Sequence, residues 1–439
     1  MELTSDGLST DKERVSSQIR IFFGQIPLLS WLLGALVAVA LEYFIGTPFA
    51  RTLGLRKAPM LFGFVIMLKK PALIHSALLY FLVIYLLPIG VIARLSAGSM
   101  NRLAGKLLDF PLMIPALIHL GIFYAILHWW SDMSLYRADV LRFTMVAVLL
   151  TLSLNLINGY MGEFSCSHPG FMALGAYASS VFTVGLFADD KLFGAALLPQ
   201  WLGPFFFPIA LIVGGLAAAI GALAVAIPSF RTRGDYLAII SLAFMFIVKS
   251  LIENLEFVGG PRGLGDQPGW ANRPVVFATV VIGIWIINNF VRSTLGKALN
   301  AVRDNEMAAD AMTVNTRRTK ITAFLFAAFW AGVAGGLYAH ALRYVNPGTF
   351  GIQKLAEVLA MVYFGGLNSV YGSIVGACSI SLLGEMLRPL ELFKWIFIPL
   401  LLILVMIYRP TGLIAFKEFD VKKLIQPRKK NLTEEKLIS

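Results

Sequence analysis

Long apolar runs separated by short polar segments rich in Arg, Lys, Gly and Pro set the pattern of this chain. Runs long enough to cross a bilayer as helices, about 17 to 25 residues, fall at 27–45, 72–93, 110–130, 140–158, 203–227, 236–255, 275–291, 320–342 and 391–408. Three others, 164–187, 355–366 and 370–387, are shorter or interrupted by Gly and Pro. The pattern predicts an all-α polytopic membrane protein with about ten to twelve transmembrane or re-entrant segments.

Two stretches repeat one design. Residues 155–180 read NLINGYMGEFSCSHPGFMALGAYASS, and residues 360–382 read AMVYFGGLNSVYGSIVGACSISL. Each is an apolar helical run interrupted by Gly and small polar residues, then resumed with small residues at helical spacing. Paired interruptions in two halves of a transporter point to a substrate path near the midplane, lined by unwound backbone. Small residues also let helices approach closely. Gly175, Gly372 and Gly376 fit packing, whereas Gly159, Gly162, Gly365 and Gly366 fit an interrupted helix.

Composition agrees with the pattern. The 439 residues are 58% hydrophobic and 14% charged, against about 25% charged in soluble domains. One soluble core could not bury so many apolar runs. The net charge is +12, but the basic residues are not interleaved with aromatics, which argues against a nucleic-acid partner. They gather in loops and in the tail (Lys417, Lys422, Lys423, Arg428, Lys429, Lys430, Lys436), marking cytoplasmic ends that can also meet membrane lipid. With 292–320 inside, alternation of the spans gathers sixteen Lys and Arg on that side from residue 229 onward. The opposite loops hold only Arg262, Arg273, Arg343, Lys354 and Arg388. Residues 46–71 break the rule, since Arg51, Arg56, Lys57, Lys69 and Lys70 would lie outside. The polar first 26 residues predict no cleavable signal peptide. The division expected is an N-terminal extension over 1–109 with about two membrane segments, a core over 110–415 and a basic tail over 416–439.

Few side chains invite chemistry. No G-x-x-x-x-G-K-[ST] occurs, so no ATP site of that kind is expected in this chain. Cys166 and Cys378, with His75, His119, His128 and His340, have neither disulfide nor metal spacing, and no cofactor is expected. Ser165, Cys166 and His168 could suggest a nucleophile, yet only Glu163 lies near to orient the histidine; they read better as small polar linings of a path. Lys249 and Glu253, at i and i+4, should pair. Asp235 is placed to cap a helix starting near Tyr236, and FVGGPRGLG at 257–265 should form an extracytoplasmic turn or re-entrant hairpin. The loop 292–320 contains a stretch, 297–312, that could form one amphipathic helix with Ala298, Val302, Met307, Ala308 and Ala311 as its apolar content. Such a helix either docks in a partner's groove or lies solvated at the interface.

At these motifs the chain resembles the LivM-type permease subunits of bacterial branched-chain amino acid importers driven by ATP. NGYMGEFSCSHPGFMALGAY at 158–177 is similar to the family's G-Y-x-G-x-x-S-x-G-H-x-x-F-x-x-x-G-A-Y. RGDYLAIISLAF at 233–244, VGGPRGL at 258–264, TLGKALNAVRDNEMAADAM at 294–312 and RPTGLI at 409–414 resemble further family motifs. Departures are Ser167 for the glycine before His168, Pro169 after it, and Thr313 for the glycine closing the coupling segment. The resemblance implies a pathway shared with a LivH-type permease, two cytoplasmic ATPases and an extracytoplasmic substrate-binding protein. It assigns ATPase coupling to Gly296, Ala298, Arg303, Glu306, Ala308 and Ala309. The path would be lined by Gly159, Gly162, Ser165, Ser167, His168, Gly259, Gly260, Gly365 and Gly366. The implied cargo is leucine, isoleucine or valine across the inner membrane. The same machinery carrying urea or short amides is an alternative, as is an ion-coupled transporter working alone.

Overall fold

The computed structural model describes residues 24–55, 73–188, 194, 196–230, 236–388, 393–409 and 411–428. The expected cap at Asp235 and most of the misplaced basic segment, 56–71, lie outside the described residues. Within a bilayer every backbone polar group must be satisfied internally, and here helices do so. Among the described residues nine helices are long and apolar enough to cross a membrane. Shorter apolar helices complete the set.

The chain divides into two compact units, Met1–Arg137 with Asp420–Ser439, and Ala138–Phe419. In the first, α1 (Leu28–Thr52), α2 (Ile74–Leu107) and α3 (Met113–Asp132) are long apolar helices. Helices α1 and α2 approach so closely at Gly34 that a Cβ there would lie 2.7 Å from the carbonyl oxygen of Ile89. Each of these two helices contains a π turn, Glu42–Gly46 and Leu82–Leu86. The turns present Glu42 and Tyr85 to one another, and Arg137 completes the group with bonds of 3.0 and 2.7 Å to the two Glu42 oxygens. Residues 420–428, which charge alone assigns to a separate tail, fold onto this unit. Ile425 is buried, and the Arg428 amide donates to the Asn101 side chain at 2.9 Å.

The second unit contains α4 (Leu135–Met161) from Ala138 onward, α5 (His168–Phe187), α6 (Gly203–Ser229), α7 (Tyr236–Asn254) and α8 (Arg273–Arg292). Two short helices follow, α9 (Thr294–Asp304) and α10 (Glu306–Ala311), then α11 (Thr316–Leu342), α12 (Ile352–Gly365), α13 (Val370–Met386) and α14 (Lys394–Tyr408). Its centre is α5, α6 and α11. On α6 the buried face is Gly214, Gly215, Ala218 and Ala222, while Ile212, Leu216, Ile220, Leu223 and Ile227 are exposed. Small residues inside and large aliphatics outside suit a helix whose outer solvent is lipid, because tight backbone approach replaces the hydrophobic drive that water would supply. Gly175 meets the backbone of Gly332 as the packing reading expected. Gly372 lies against the Gly365 and Gly366 carbonyls and Gly376 against that of Met361, closing α12 and α13 into a tight hairpin. Lys249 and Glu253 pair at 3.7 Å.

Candidate functional site

Helix α4 spans 27 residues before it ends, enough for a full crossing. Its last turn, Leu156–Met161, is a π turn, and Gly162 then adopts φ 76°, a left-handed conformation that glycine takes without penalty. The expected interruption near the midplane is therefore a turn between two complete helices. Residues 163–167 cross to α5, which starts with Pro169 in its first turn. The turn is internally bonded: Asn158 Oδ1 accepts from the Ser165 amide at 3.2 Å, and the Ser165 and Ser167 hydroxyls are 2.8 Å apart. The Cys166 amide donates to Ser241 Oγ at 2.9 Å. His168 is buried beside the Phe171 ring and forms no hydrogen bond with a serine or cysteine side chain.

The second interruption is also a turn, between α12 and α13. Gly366 has φ 125° and Asn368 φ 54°, and Ser369 caps α13 by accepting from the Gly372 amide at 3.1 Å. Gly162 and Gly366 end helices as expected. Gly159 and Gly365 do not: both remain helical, and their missing side chains admit neighbouring backbone, the Asn368 amide and the Gly372 carbonyl respectively. The two turns meet through Asn155. Its Nδ2 donates to the Ser369 carbonyl at 3.0 Å and to Ser373 Oγ at 2.6 Å, and its Oδ1 accepts from the Asn368 amide at 3.2 Å. Leu413 and Ile414, from the RPTGLI motif, add amide bonds to the Phe364 and Gly365 carbonyls at 3.1 and 2.9 Å.

The basic-side helices are seated against this junction. The single helix expected over 297–312 is two, because Asn305 leaves helical geometry at φ −160° and its side chain caps α10 through the Ala308 amide at 3.0 Å. Ser293 caps α9 through the Gly296 amide, and Gly296 lies directly against the Val291 carbonyl. The apolar content divides. Leu299, Val302 and Ala309 are buried and Ala298 is half-buried, whereas Met307, Ala308, Ala311 and Met312 are exposed. Two cations hold the pair of helices to the first turn. Arg303 lies over Gly162, donates to the Gly159 carbonyl at 3.3 Å, and places its guanidinium 5.6 Å from the centre of the Phe416 ring. Lys320, buried at the start of α11, bonds Glu163 at 2.8 Å and Glu306 at 2.9 Å.

Gly159, Gly162, Gly365 and Gly366 are thus brought together with Arg303, and the turn that holds Ser165 and Ser167 is linked through Glu163 and Lys320 to Glu306. Gly296, Ala298, Ala308 and Ala309 lie on the α9–α10 pair, and His168 packs on Phe171. Gly259 and Gly260 do not join this group. Their loop consists of two 3₁₀ turns, Glu256–Val258 and Gly260–Arg262, tied to the far end of α11 by paired 2.9 Å bonds between Leu264 and Val345. Twenty-two residues of α11 lie between Lys320 and its far end at Leu342, roughly 33 Å. Sequence reading missed Lys320, Asn155, Asn368, Ser369, Ser373 and Phe416. The asparagine in the apolar run of α4 was the available signal, since an amide inside a membrane helix needs a partner on another element.

The sequence model of the family described as the permease component of the branched-chain amino acid transport system matches residues 136–407. The high-affinity branched-chain amino acid permease protein LivM of Escherichia coli is 31% identical over 329 residues, 67% of this chain and 73% of that protein. A probable LivM protein of Methanocaldococcus jannaschii is 23% identical, covering 59% of this chain and 78% of that one. An autoinducer 2 import permease, LsrC, of an Enterobacter species is 28% identical over 48% of this chain and 64% of its own. No solved structure matches the chain.

Proposed function

Because the chain belongs to the branched-chain amino acid permease family, we propose that it is the LivM-type membrane subunit of an ATP-driven importer that moves leucine, isoleucine and valine across the bacterial inner membrane. A LivH-type permease completes the pathway, two cytoplasmic ATPases supply the energy, and an extracytoplasmic binding protein delivers the cargo. ATP is hydrolysed by those separate subunits, and this chain supplies the path and the coupling surface.

The observation that carries the reading is the double clamp of Arg303 and Lys320 between the basic-side helices and the first turn. Exposed Met307 and Met312, 80% and 77% accessible, are flexible apolar side chains suited to a partner's groove. Motion of an ATPase docked there pulls α9 and α10, and Lys320 and Arg303 pass the displacement to Glu163 and to the backbone at Gly159. Asn155 carries it on to the second turn. The two joined turns, with Ser165, Ser167 and His168 inside them, then act as the inner gate of the path, and two discrete arrangements of this junction correspond to outward and inward access.

The test is uptake of labelled leucine and, separately, urea into vesicles holding this chain with its permease partner, ATPases and binding protein. Leucine uptake that needs ATP, and that collapses when Met307→Asp releases the ATPases, supports the reading. Urea uptake in place of leucine, or uptake indifferent to ATP and to Met307→Asp, overturns it.

A further inference from the structure

After α14 the chain returns along the second turn as a strap, residues 412–419. The amides of Leu413, Ile414 and Phe416 donate to the carbonyls of Phe364, Gly365 and Leu367 at 3.1, 2.9 and 3.4 Å. Ser369, which caps α13, donates its hydroxyl to the Lys417 carbonyl at 3.1 Å. The Phe419 and Tyr371 rings lie 4.5 Å apart, centre to centre. Bonded at so many points, the strap and the second turn form one body.

Within the strap, Phe416 is unexpected on two counts. Its φ of 54° is a left-handed conformation that is costly for a bulky residue and free for glycine. Its side chain is 61% accessible, so burial does not account for an aromatic there. What the ring does meet is Arg303 of α9, whose guanidinium carbon lies 5.6 Å from the ring centre, within the range of a cation–π contact. The edges of that guanidinium are already engaged, by Asp304 at 2.8 and 3.0 Å and by the Gly159 carbonyl at 3.3 Å. Its face remains, and an aromatic ring is the partner a guanidinium face takes. A second tie from the strap, Glu418 to Arg292 at 3.5 Å, is exposed on both sides and contributes little.

We propose that Phe416 is a positioning residue of the coupling path. Its ring joins Arg303 to the second turn, so one guanidinium holds both turns, Gly159 by an edge and Phe416 by a face. The inference rests on the importer reading and adds to it a direct route from α9 to the second turn, beside the one through Asn155. A strained backbone persists where the surroundings hold it and the orientation serves a task, here aiming the ring at α9. The contact also suits a moving joint: it lacks the narrow geometry of a hydrogen bond, so Arg303 can shift across the ring without releasing it.

The experiment uses the full importer in proteoliposomes and reads leucine moved per ATP hydrolysed. Phe416→Leu keeps an apolar side chain on the same backbone and removes the π face. The ratio should fall about twofold to fivefold, the worth of an exposed cation–π contact, while ATP hydrolysis continues. Phe416→Tyr restores the face and should hold the wild-type ratio. In an Arg303→Gln background, Phe416→Leu should lower the ratio no further, because the ring acts through the guanidinium. A wild-type ratio in Phe416→Leu, a fall in Phe416→Tyr as deep as in Phe416→Leu, or additive losses in the double variant overturns the inference and leaves the importer reading intact. Hydrolysis lost together with uptake in Phe416→Leu also overturns it, and places the ring on the surface where the ATPases dock. A wild-type complex that hydrolyses ATP and carries no amino acid overturns the importer reading and this inference with it.

Discussion

Lys320 enters the helix that carries it within a turn of its start, buried, with a carboxylate on either side. One ammonium serving Glu163 and Glu306 links two segments that are far apart in sequence. Replacing it with Met leaves both carboxylates without their partner. Glu306 is half exposed and Glu163 partly so, hence water softens the loss to about 1–3 kcal/mol. The expected outcome of Lys320→Met is an assembled complex with a lower melting temperature, whose ATP hydrolysis continues while leucine uptake fails. Equal loss of both activities would show that the lysine serves assembly alone. Thr313 makes a different point. It closes α10 at φ 66°, a conformation unfavourable for a β-branched residue, which explains why the resembling motif has glycine there. Thr313→Gly should stabilise the chain by about 1 kcal/mol, read as a rise in melting temperature in detergent.

At the scale of elements, the membrane helices divide between glycine-packed interior faces and aliphatic lipid faces. The small residues at helical spacing in α5 and α13 made part of that division readable, because periodicity decides which side chains share a face; the packed faces of α6 and α11 were not read from the sequence. Spacing could not say which helix meets which. Gly335 is pressed against the Met172 carbonyl, so Gly335→Val should force α5 and α11 apart. Overpacking costs about 1–3 kcal/mol, and loss of the folded fraction in detergent extracts is the measurement. Gly98, with open space around it, is the control, and Gly98→Ala should be silent. The break at Asn305 was not anticipated, although an asparagine before Glu306 is a recognisable cap. Ala-rich flanks read as continuous helix, and a single residue leaving helical geometry reverses which apolar residues face outward.

For the whole molecule, the N-terminal unit stands on a buried ion pair. Arg137 and Glu42 are 5% and 2% accessible at their side chains, and Tyr85 also bonds the carboxylate. Removing one partner of such a pair costs about 3–5 kcal/mol, whereas replacing both with apolar residues of similar volume is near neutral. Arg137→Met should therefore depress the melting temperature, and Glu42→Leu with Arg137→Met should restore most of it. A double variant as unstable as the single one would mean that the polar group serves more than local neutralisation. Neither residue was singled out in the sequence, since each sits at the edge of an apolar run and nothing in the spacing links positions so far apart.

Hydrophobic run length, the placement of Lys and Arg, and the glycine-bearing motifs determined by themselves that this chain is an all-α membrane protein, which side is basic, and which family it resembles. These are local or summed properties, and bilayer thickness and the cost of burying charge act on them directly. Tertiary structure decided where the two glycine interruptions lie, that Asn155 joins them, and that Lys320 and Arg303 clamp the basic-side helices to the first. It also placed the Phe416 ring against Arg303. The physical reason is common to all of these: a hydrogen bond or ion pair is made between atoms a few ångströms apart. Which distant residues come that close depends on how the helices pack, and the pattern along one chain does not record it.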